Sequence, residues 1–284
     1  MPQPIASAIV AMVCYGVSDF IYKQATAAGI RADHFLAAQA WFFCPLVTLY
    51  ALATGTLVLD PAALWGSLAG VFVFVGFYYF LRSLAAGAVS TNAAIFRMNF
   101  IVTAALAIAL LGEPATPAKF AGLALALLAT WLLVGAGSGS ERAPDARRRS
   151  AIEVGVATLA FGASNFFHTV GLRHGALPET LAVAQAALFM PLATAVVYVA
   201  DRKLPPPPAT FRYGLAAAVV LLGATIFLLR SVALGEASVL VPIAQMGFIV
   251  AVLLGVFVLR ERVTARKVLG LAAALAALAV LAAS

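Results

Sequence analysis

The chain carries very little charge for its length. Only 10% of its 284 residues are Asp, Glu, Lys or Arg, whereas about a quarter of the residues in an ordinary soluble domain are charged. Hydrophobic residues make up 64% of the chain, in recurring runs that are long enough to cross ~30 Å of hydrocarbon. This composition excludes a soluble globular domain and indicates several membrane-spanning helices.

Cysteine and histidine are also scarce. The two cysteines, Cys14 and Cys44, lie inside apolar runs and have neither the spacing of a disulfide framework nor that of a metal site. The three histidines, His34, His168 and His174, are scattered along the chain. An integral-membrane enzyme would need a nucleophile–base or metal cluster, so it is a minor alternative. We expect no cofactor and no metal. A Gly-Ser-Gly-Ser stretch follows no predicted strand, so it does not indicate a nucleotide site.

Ten apolar segments predict ten transmembrane helices. Their predicted bounds are 4–27, 33–54, 63–83, 88–111, 117–136, 151–173, 179–200, 212–231, 236–259 and 265–283. We interpret residues 1–136 as a first five-helix repeat, 137–150 as a flexible basic linker and 151–284 as a second five-helix repeat. The predicted fold class is therefore an all-α integral membrane protein, with two inverted repeats around a central cavity.

The second half of the sequence repeats the first. Tyr-Gly-Val-Ser-Asp-Phe at 15–20 recurs as Phe-Gly-Ala-Ser-Asn-Phe at 161–166, an offset of 146. After a slip at Pro205–Pro208 the offset becomes 148, and Leu-Arg-Ser at 81–83 recurs at 229–231. Each repeat has an odd number of helices, so the second must cross the membrane in the opposite direction to the first.

The basic residues indicate the orientation. The loops after the odd-numbered helices hold 13 of them, the loops after the even-numbered helices hold three, and the tails hold none. The positive-inside rule then places the odd-numbered loops in the cytoplasm and both termini outside. The net charge of +7 is therefore a topology signal, and we expect no nucleic-acid partner.

Short patterns at the end of each repeat carry a family resemblance. Gly112-Glu113-Pro114-Ala115-Thr116, followed by Gly122, recurs as Arg260-Glu261-Arg262-Val263-Thr264, followed by Gly270. In a ten-helix layout of five plus five, this resembles the drug/metabolite transporter superfamily, specifically its EamA-like branch. The resemblance implies a transporter of small organic metabolites. Many bacterial members export amino acids or related compounds.

Charged residues within the apolar segments are the strongest candidates for a site, because each costs about 2.5–3.5 kcal/mol at a helix centre on insertion scales. They are Asp19 and Lys23 in the first predicted helix and Arg97 in the fourth. Asp19 and Arg97 lie at similar depths from one membrane side, so they can pair. The pair either fixes helix packing or lines the transport pathway. Arg97 is the candidate for a substrate carboxylate, and Asp19 for proton coupling.

Further polar residues extend this candidate site. A polar-aromatic stripe in the first predicted helix has a counterpart in the sixth, and one glutamine recurs in the second and seventh. The remaining substrate-binding candidates are Tyr15, Tyr22, Gln39, Tyr78, Asn165, His168, Gln185 and Gln245. Each has the alternative of a role in helix packing.

Other positions have interpretations of their own. Pro45 and Pro191 each lie six residues after a repeated glutamine, and we interpret them as hinges. Arg82 and Arg230 lie near helix ends, which favours snorkelling or capping. Asn99 lies ~160° around the helix from Arg97, so the two face one cavity only if the helix is broken between them.

These features predict a multi-pass secondary transporter of the plasma membrane, which moves a small metabolite by alternating access, with export favoured. The alternative is an importer or exchanger of a charged metabolite. A membrane scaffold without transport is less favoured, because it would need no polar residues at the bilayer midplane. Ten helices suffice to enclose a cavity in one chain, so we expect a monomer. Its partners would be a small-molecule substrate, protons and the lipid bilayer.

Overall fold

The computed structural model describes residues 2–86, 92, 95–134, 144–204, 207–258, 260 and 264–284. Within these ranges the regular structure is helical and no strand occurs. In this part of the chain, eight helices are long and apolar enough to cross a membrane, and Ile95–Leu111 and Pro117–Leu133 are shorter apolar helices. The prediction of an all-α, multi-pass membrane protein is therefore confirmed.

The helices are numbered in chain order. They are α1 (Gln3–Ala27), α2 (Ala32–Ala53), α3 (Leu64–Ala86), α4 (Asn99–Leu111), α5 (Pro117–Val134), α6 (Pro144–Arg173), α7 (Pro178–Asp201), α8 (Pro208–Ala233), α9 (Ala237–Gln245), α10 (Phe248–Phe257) and α11 (Ala265–Ala282).

Two differences from the predicted bounds affect the argument. The ninth predicted span is divided into α9 and α10, which are separated by Met246 and Gly247. Helix α6 begins at Pro144, so residues 144–150 form helix where the sequence predicted part of a flexible linker. The rest of that linker, 137–143, lies outside the described residues.

Prolines begin four of the helices. Pro117, Pro144, Pro178 and Pro208 are the first residues of α5, α6, α7 and α8. The first N–H of a helix has no partner within the helix, so proline loses nothing there, and its fixed φ suits the first turn. Proline therefore sets where these apolar segments begin.

Several helix pairs join the two halves of the chain, and they recur with the halves exchanged. Helix α3 packs on α6, and the equivalent α8 packs on α1. Helix α2 packs on α8 as α7 does on α3, and α4 packs on α6 as α9 and α10 do on α1. Helices α5 and α11 pack on each other. The packing is thus related by exchange of the two halves.

Small residues make this packing close at equivalent places. A Cβ on Gly122 of α5 would lie 2.6 Å from Leu281 Cγ of α11. A Cβ on Gly270 of α11 would lie 2.6 Å from Leu133 Cγ of α5. Because 122 and 270, and likewise 133 and 281, differ by 148, the two contacts are repeat equivalents.

Both chain ends lie at one face of the helix bundle. The Ser231 hydroxyl, near the end of α8, donates to the Pro4 carbonyl at the start of α1 (2.7 Å), and Leu281 packs against the start of α5. We call this the terminal face. The opposite face, where α5 ends and α6 begins, is the linker face.

Candidate functional site

An ion pair joins α1 to the turn that precedes α4. The Arg97 guanidinium contacts the Asp19 carboxylate, and the two side chains are 22% and 30% exposed. The pair expected from their depths is therefore present. The pair is therefore only partly buried, although both of its charges lie within apolar helical segments, where an unpaired charge is costly.

The helix that carries Arg97 is broken directly after it. Residues 95–97 are helical, Met98 forms a turn, and α4 begins at Asn99. The Met98 amide donates to Ile95 O, and the Ile101 amide donates to Met98 O, both at 3.0 Å. Asn99 is buried, and its Nδ2 donates to Phe96 O across the break (2.8 Å). Arg97 thus points to the site while Asn99 closes the break.

The same break occurs at the equivalent position of the second half. Helix α9 ends at Gln245, Met246 forms the turn, and α10 begins at Phe248. The Met246 amide donates to Ile243 O at 3.1 Å. Gln245, the counterpart of Arg97, is 3% exposed. The charged site is thus partly open, and its neutral counterpart is closed.

Tyr15 and Tyr22, two residues of the polar-aromatic stripe on α1, have different surroundings. Tyr15 hydrogen-bonds to Thr225 of α8 and lies within electrostatic reach of Asp19 and Arg97. Tyr22 instead packs edge-on against Phe35 of α2, with ring centroids 5.1 Å apart. Lys23 is exposed. Tyr15 therefore lies near the ion pair, whereas Tyr22 packs against α2.

In the second half, two polar side chains of α6 are buried. Asn165 and His168 are 7% and 6% exposed, and Asn165 Nδ2 and His168 Nε2 have no hydrogen-bond partner among the described residues. The His168 side chain lies within hydrogen-bonding reach of Gln185 on α7. Buried polar atoms are normally paired, so these two atoms mark a place where a polar ligand or water would be stabilised.

The remaining predicted residues lie elsewhere. The half-buried Gln39 lies at the contact of α2 with α8, where a Cβ on Gly214 would approach its backbone nitrogen to 3.1 Å. Tyr78 lines a separate cleft between α2, α3 and α7. Pro45 and Pro191 lie inside α2 and α7, which continue through them. Their roles as hinges stay predictions.

The turn between α4 and α5 holds a buried carboxylate that the sequence pattern marked but did not explain. Gly112 ends α4 in the left-handed region, with φ 69°. Glu113 then accepts from the amides of Ala237 (2.9 Å) and Ser238 (2.8 Å), at the start of α9. Arg173 of α6 also donates to Glu113 (3.1 Å). Glu113 therefore caps α9 and ties three helices together at the terminal face.

A second ion pair at the terminal face was missed by the sequence reasoning. Glu179, at the start of α7, accepts from Arg230 Nε of α8 (2.8 Å). A signal for it exists in the repeat, because Asp33 precedes Glu179 by 146 residues and Arg82 precedes Arg230 by 148. Both halves therefore carry an acid and an arginine at equivalent positions. Among the described residues, no cluster of His, Cys, Asp and Glu could hold a metal.

Comparison with known proteins agrees with this architecture. Residues 3–135 match the EamA-like transporter family. No curated protein sequence matches the chain significantly. Among 29 matching chains of solved structures, a crystal structure described only as that of a protein has a TM-score of 0.79 and 16% identity. That match covers 98% of this chain and 95% of the other, and identity this low bears on the fold alone.

The resemblance expected from the sequence is thus confirmed over the matched residues. The apolar helices identify a multi-pass membrane protein, and residues 3–135 are similar to a family of transporters.

Proposed function

We propose that this protein, whose residues 3–135 match the EamA-like transporter family, is a secondary active transporter of the plasma membrane. It exports small organic metabolites, amino acids or similar compounds, by alternating access. The protein acts as a monomer, since one chain has enough helices to enclose a cavity.

Two inverted five-helix repeats form the transport unit. Residues 1–136 and 151–284 are the repeats, and the odd number of helices in each makes the second cross the membrane in the opposite sense. The exchange-related helix pairs support this arrangement, as do the equivalent contacts of Gly122 and Gly270. Transporters built this way hold substrate near the bilayer midplane, between the repeats.

The partly exposed Asp19–Arg97 pair at a helix break is the observation that carries the proposal. Broken helices place free backbone groups at the midplane, where continuous helices offer none. Here one break follows Arg97 and the other follows Gln245. The breaks therefore put a guanidinium and an amide beside backbone groups that can bind a polar substrate.

The chemistry of the site favours a substrate with a carboxylate and some apolar bulk. Arg97 offers parallel N–H donors that match a carboxylate, and Tyr15 provides an aromatic wall. Protonation of Asp19 removes the charge that holds Arg97, and the arginine is then available to the substrate. Proton and substrate binding are coupled through this exchange of partners.

Uptake into proteoliposomes tests the proposal. Pooled amino acids and small metabolites are offered with and without a proton gradient, to the wild type, to Asp19→Asn and to Arg97→Ala. Arg266→Gln is the matched control, because Arg266 donates to Trp131 O at an exposed position away from the pair.

We expect gradient-dependent uptake by the wild type and the control, and none by the two site variants although they remain folded. Uptake that both site variants retain would reduce the pair to helix packing. Uptake that needs substrate on both sides of the membrane would replace proton coupling by exchange.

A further inference from the structure

The terminal face is closed by the ion pair of Glu179 and Arg230. Glu179 is 2% exposed, and Arg230 Nη2 lies 2.6 Å from its Oε1. The same nitrogen donates to the Tyr50 hydroxyl of α2 (3.1 Å). The pair thus ties α2, α7 and α8 together where they reach the membrane surface.

Apolar side chains pack tightly beneath this pair. Six of them belong to one hydrophobic cluster; five of these six are buried, and the sixth, Leu222, is partly buried. These side chains are Phe43, Val47, Ala182, Leu222, Ile226 and Leu229. Between α2, α7 and α8 the protein is therefore closed toward the terminal face.

The repeat equivalents of these six residues line a narrow cleft. By the offsets of 146 and 148 they are Phe189, Ala193, Leu36, Phe74, Tyr78 and Leu81, and all six line the cleft between α2, α3 and α7. Asp33, the equivalent of Glu179, lines it too. The same set of positions is therefore packed in a hydrophobic cluster on the terminal face and lines a cleft on the linker face.

The charges on the linker face are held by other partners. Arg31 contacts the Asp33 carboxylate. Arg82 lies 3.1 Å from Glu153 Oε1 and donates to the Tyr78 hydroxyl (3.3 Å). The second repeat has no equivalent of Arg31, because Leu177 stands at that position.

We propose that Asp33 and Arg82 pair with each other when the linker face closes, and that this pair and Glu179–Arg230 form alternately. The inference rests on the proposed alternating access and assigns four positioning residues to it. In the present structure the Glu179–Arg230 gate is shut and the Asp33–Arg82 gate is open.

On the linker face, the cleft can close by an exchange of ion-pair partners. When the cleft closes, Asp33 leaves Arg31 for Arg82, and Arg82 leaves Glu153, which still has Arg149 at 3.1 Å. On the linker face neither Asp33 nor Glu153 is then left buried without a cation, which would be the expensive outcome. The tyrosine that supports the arginine is Tyr78 on this face and Tyr50 on the other.

Labelling of single cysteines tests the gates without any substrate. Cys14 and Cys44 are replaced by alanine in the full-length protein, and Leu36→Cys or Ala182→Cys is added as a reporter. These positions are repeat equivalents, Leu36 in the cleft and Ala182 in the buried cluster. A water-soluble maleimide applied to the purified protein should label the Leu36 reporter and spare the Ala182 reporter.

Removing one gate charge should change the labelling rates of the two reporters in opposite directions. Glu179→Gln should raise labelling at the Ala182 reporter and lower it at the Leu36 reporter, each on the order of fivefold. Asp33→Asn should lower labelling at the Ala182 reporter. The double variant Asp33→Arg with Arg82→Asp can form the pair again with its charges exchanged, so labelling at the Ala182 reporter should be higher in it than in Asp33→Arg alone.

Reporters that fail to respond reciprocally, or a double variant that behaves like Asp33→Arg alone, would overturn the gates. Unfolding exposes both reporters, so it would raise labelling at both and cannot be mistaken for a reciprocal change. Reciprocal labelling in a protein that moves no metabolite would keep the gates and overturn the transport proposal. Transport without reciprocal labelling would keep the transport proposal and overturn the proposed gates.

Discussion

Gly16 of α1 lies against the backbone of Gly247, between α9 and α10. A Cβ on Gly16 would lie 2.3 Å from the Gly247 carbonyl oxygen and 2.5 Å from Val250 Cβ. The repeat equivalent, Gly162 of α6, has the same surroundings: a Cβ there would lie 2.7 Å from Asn99 O and 2.5 Å from Val102 Cβ. The contact of each broken helix with its neighbour therefore depends on glycine.

Alanine at these two glycines should destabilise the protein. We expect Gly16→Ala and Gly162→Ala each to cost about 1–3 kcal/mol, because the methyl group meets backbone and must push two helices apart. Gly155→Ala is the matched control in α6, since a Cβ there meets nothing within 4 Å, and it should be neutral or stabilising. Thermal unfolding in detergent measures the difference, and equal effects of all three changes would contradict the close contact.

Loss of the Glu113 carboxylate should weaken the terminal face. Glu113→Ala removes the two hydrogen bonds that cap α9 and the contact with Arg173, so we expect a loss of about 1–2 kcal/mol. The control Asp145→Asn removes an exposed acid near the other face and should change the melting temperature little. A melting temperature that Glu113→Ala leaves unchanged would show that the cap contributes nothing to stability.

The buried polar groups of α6 should favour function over stability. His168→Leu removes a ring nitrogen that is buried without a partner among the described residues, so stability should rise by about 1–2 kcal/mol while uptake falls. Thr169→Val is the neighbouring control, because that hydroxyl donates to Asn165 O within the same helix (2.9 Å), and its uptake should be kept. Unchanged uptake by His168→Leu would exclude this side chain from the pathway.

The prolines inside α2 and α7 should affect rate more than stability. Pro45→Ala and Pro191→Ala restore a backbone hydrogen bond and a helix-favouring residue, so the melting temperature should hold or rise while transport slows. Pro61→Ala, at the start of the short 3₁₀ turn Pro61–Ala63, is the control outside both helices. Transport as fast as that of the wild type in both variants would remove the hinge interpretation.

Depth and repetition explain what the sequence could predict. The Asp19–Arg97 pair followed from two charges at similar depth in apolar segments, where an unpaired charge is costly. For Arg97 and Asn99 the sequence supplied only a condition, that they share a cavity only if the helix between them is broken. The structure has a break at Met98, and Asn99 is nevertheless buried.

Relations between distant residues were harder to predict. The Glu179–Arg230 pair was overlooked because an acid at a helix start is ordinary and an arginine near a helix end suggests snorkelling. The contacts of Gly16 and Gly162 carry no polar signal at all. The helical start at Pro144 was hidden by the arginine run that follows it, although Pro-Asp-Ala is a good helix beginning.

The glycine contacts also bear on how the helices move past one another. Side chains that interlock must change rotamers when one helix turns against the next, and ordering them again costs conformational entropy. At Gly16 and Gly162 backbone lies directly on backbone, so no side chain of either glycine has to be reset. If the proposed gates open alternately, each contact can serve as a pivot for α1 or α6, and the gates at the two ends of the bundle then travel furthest.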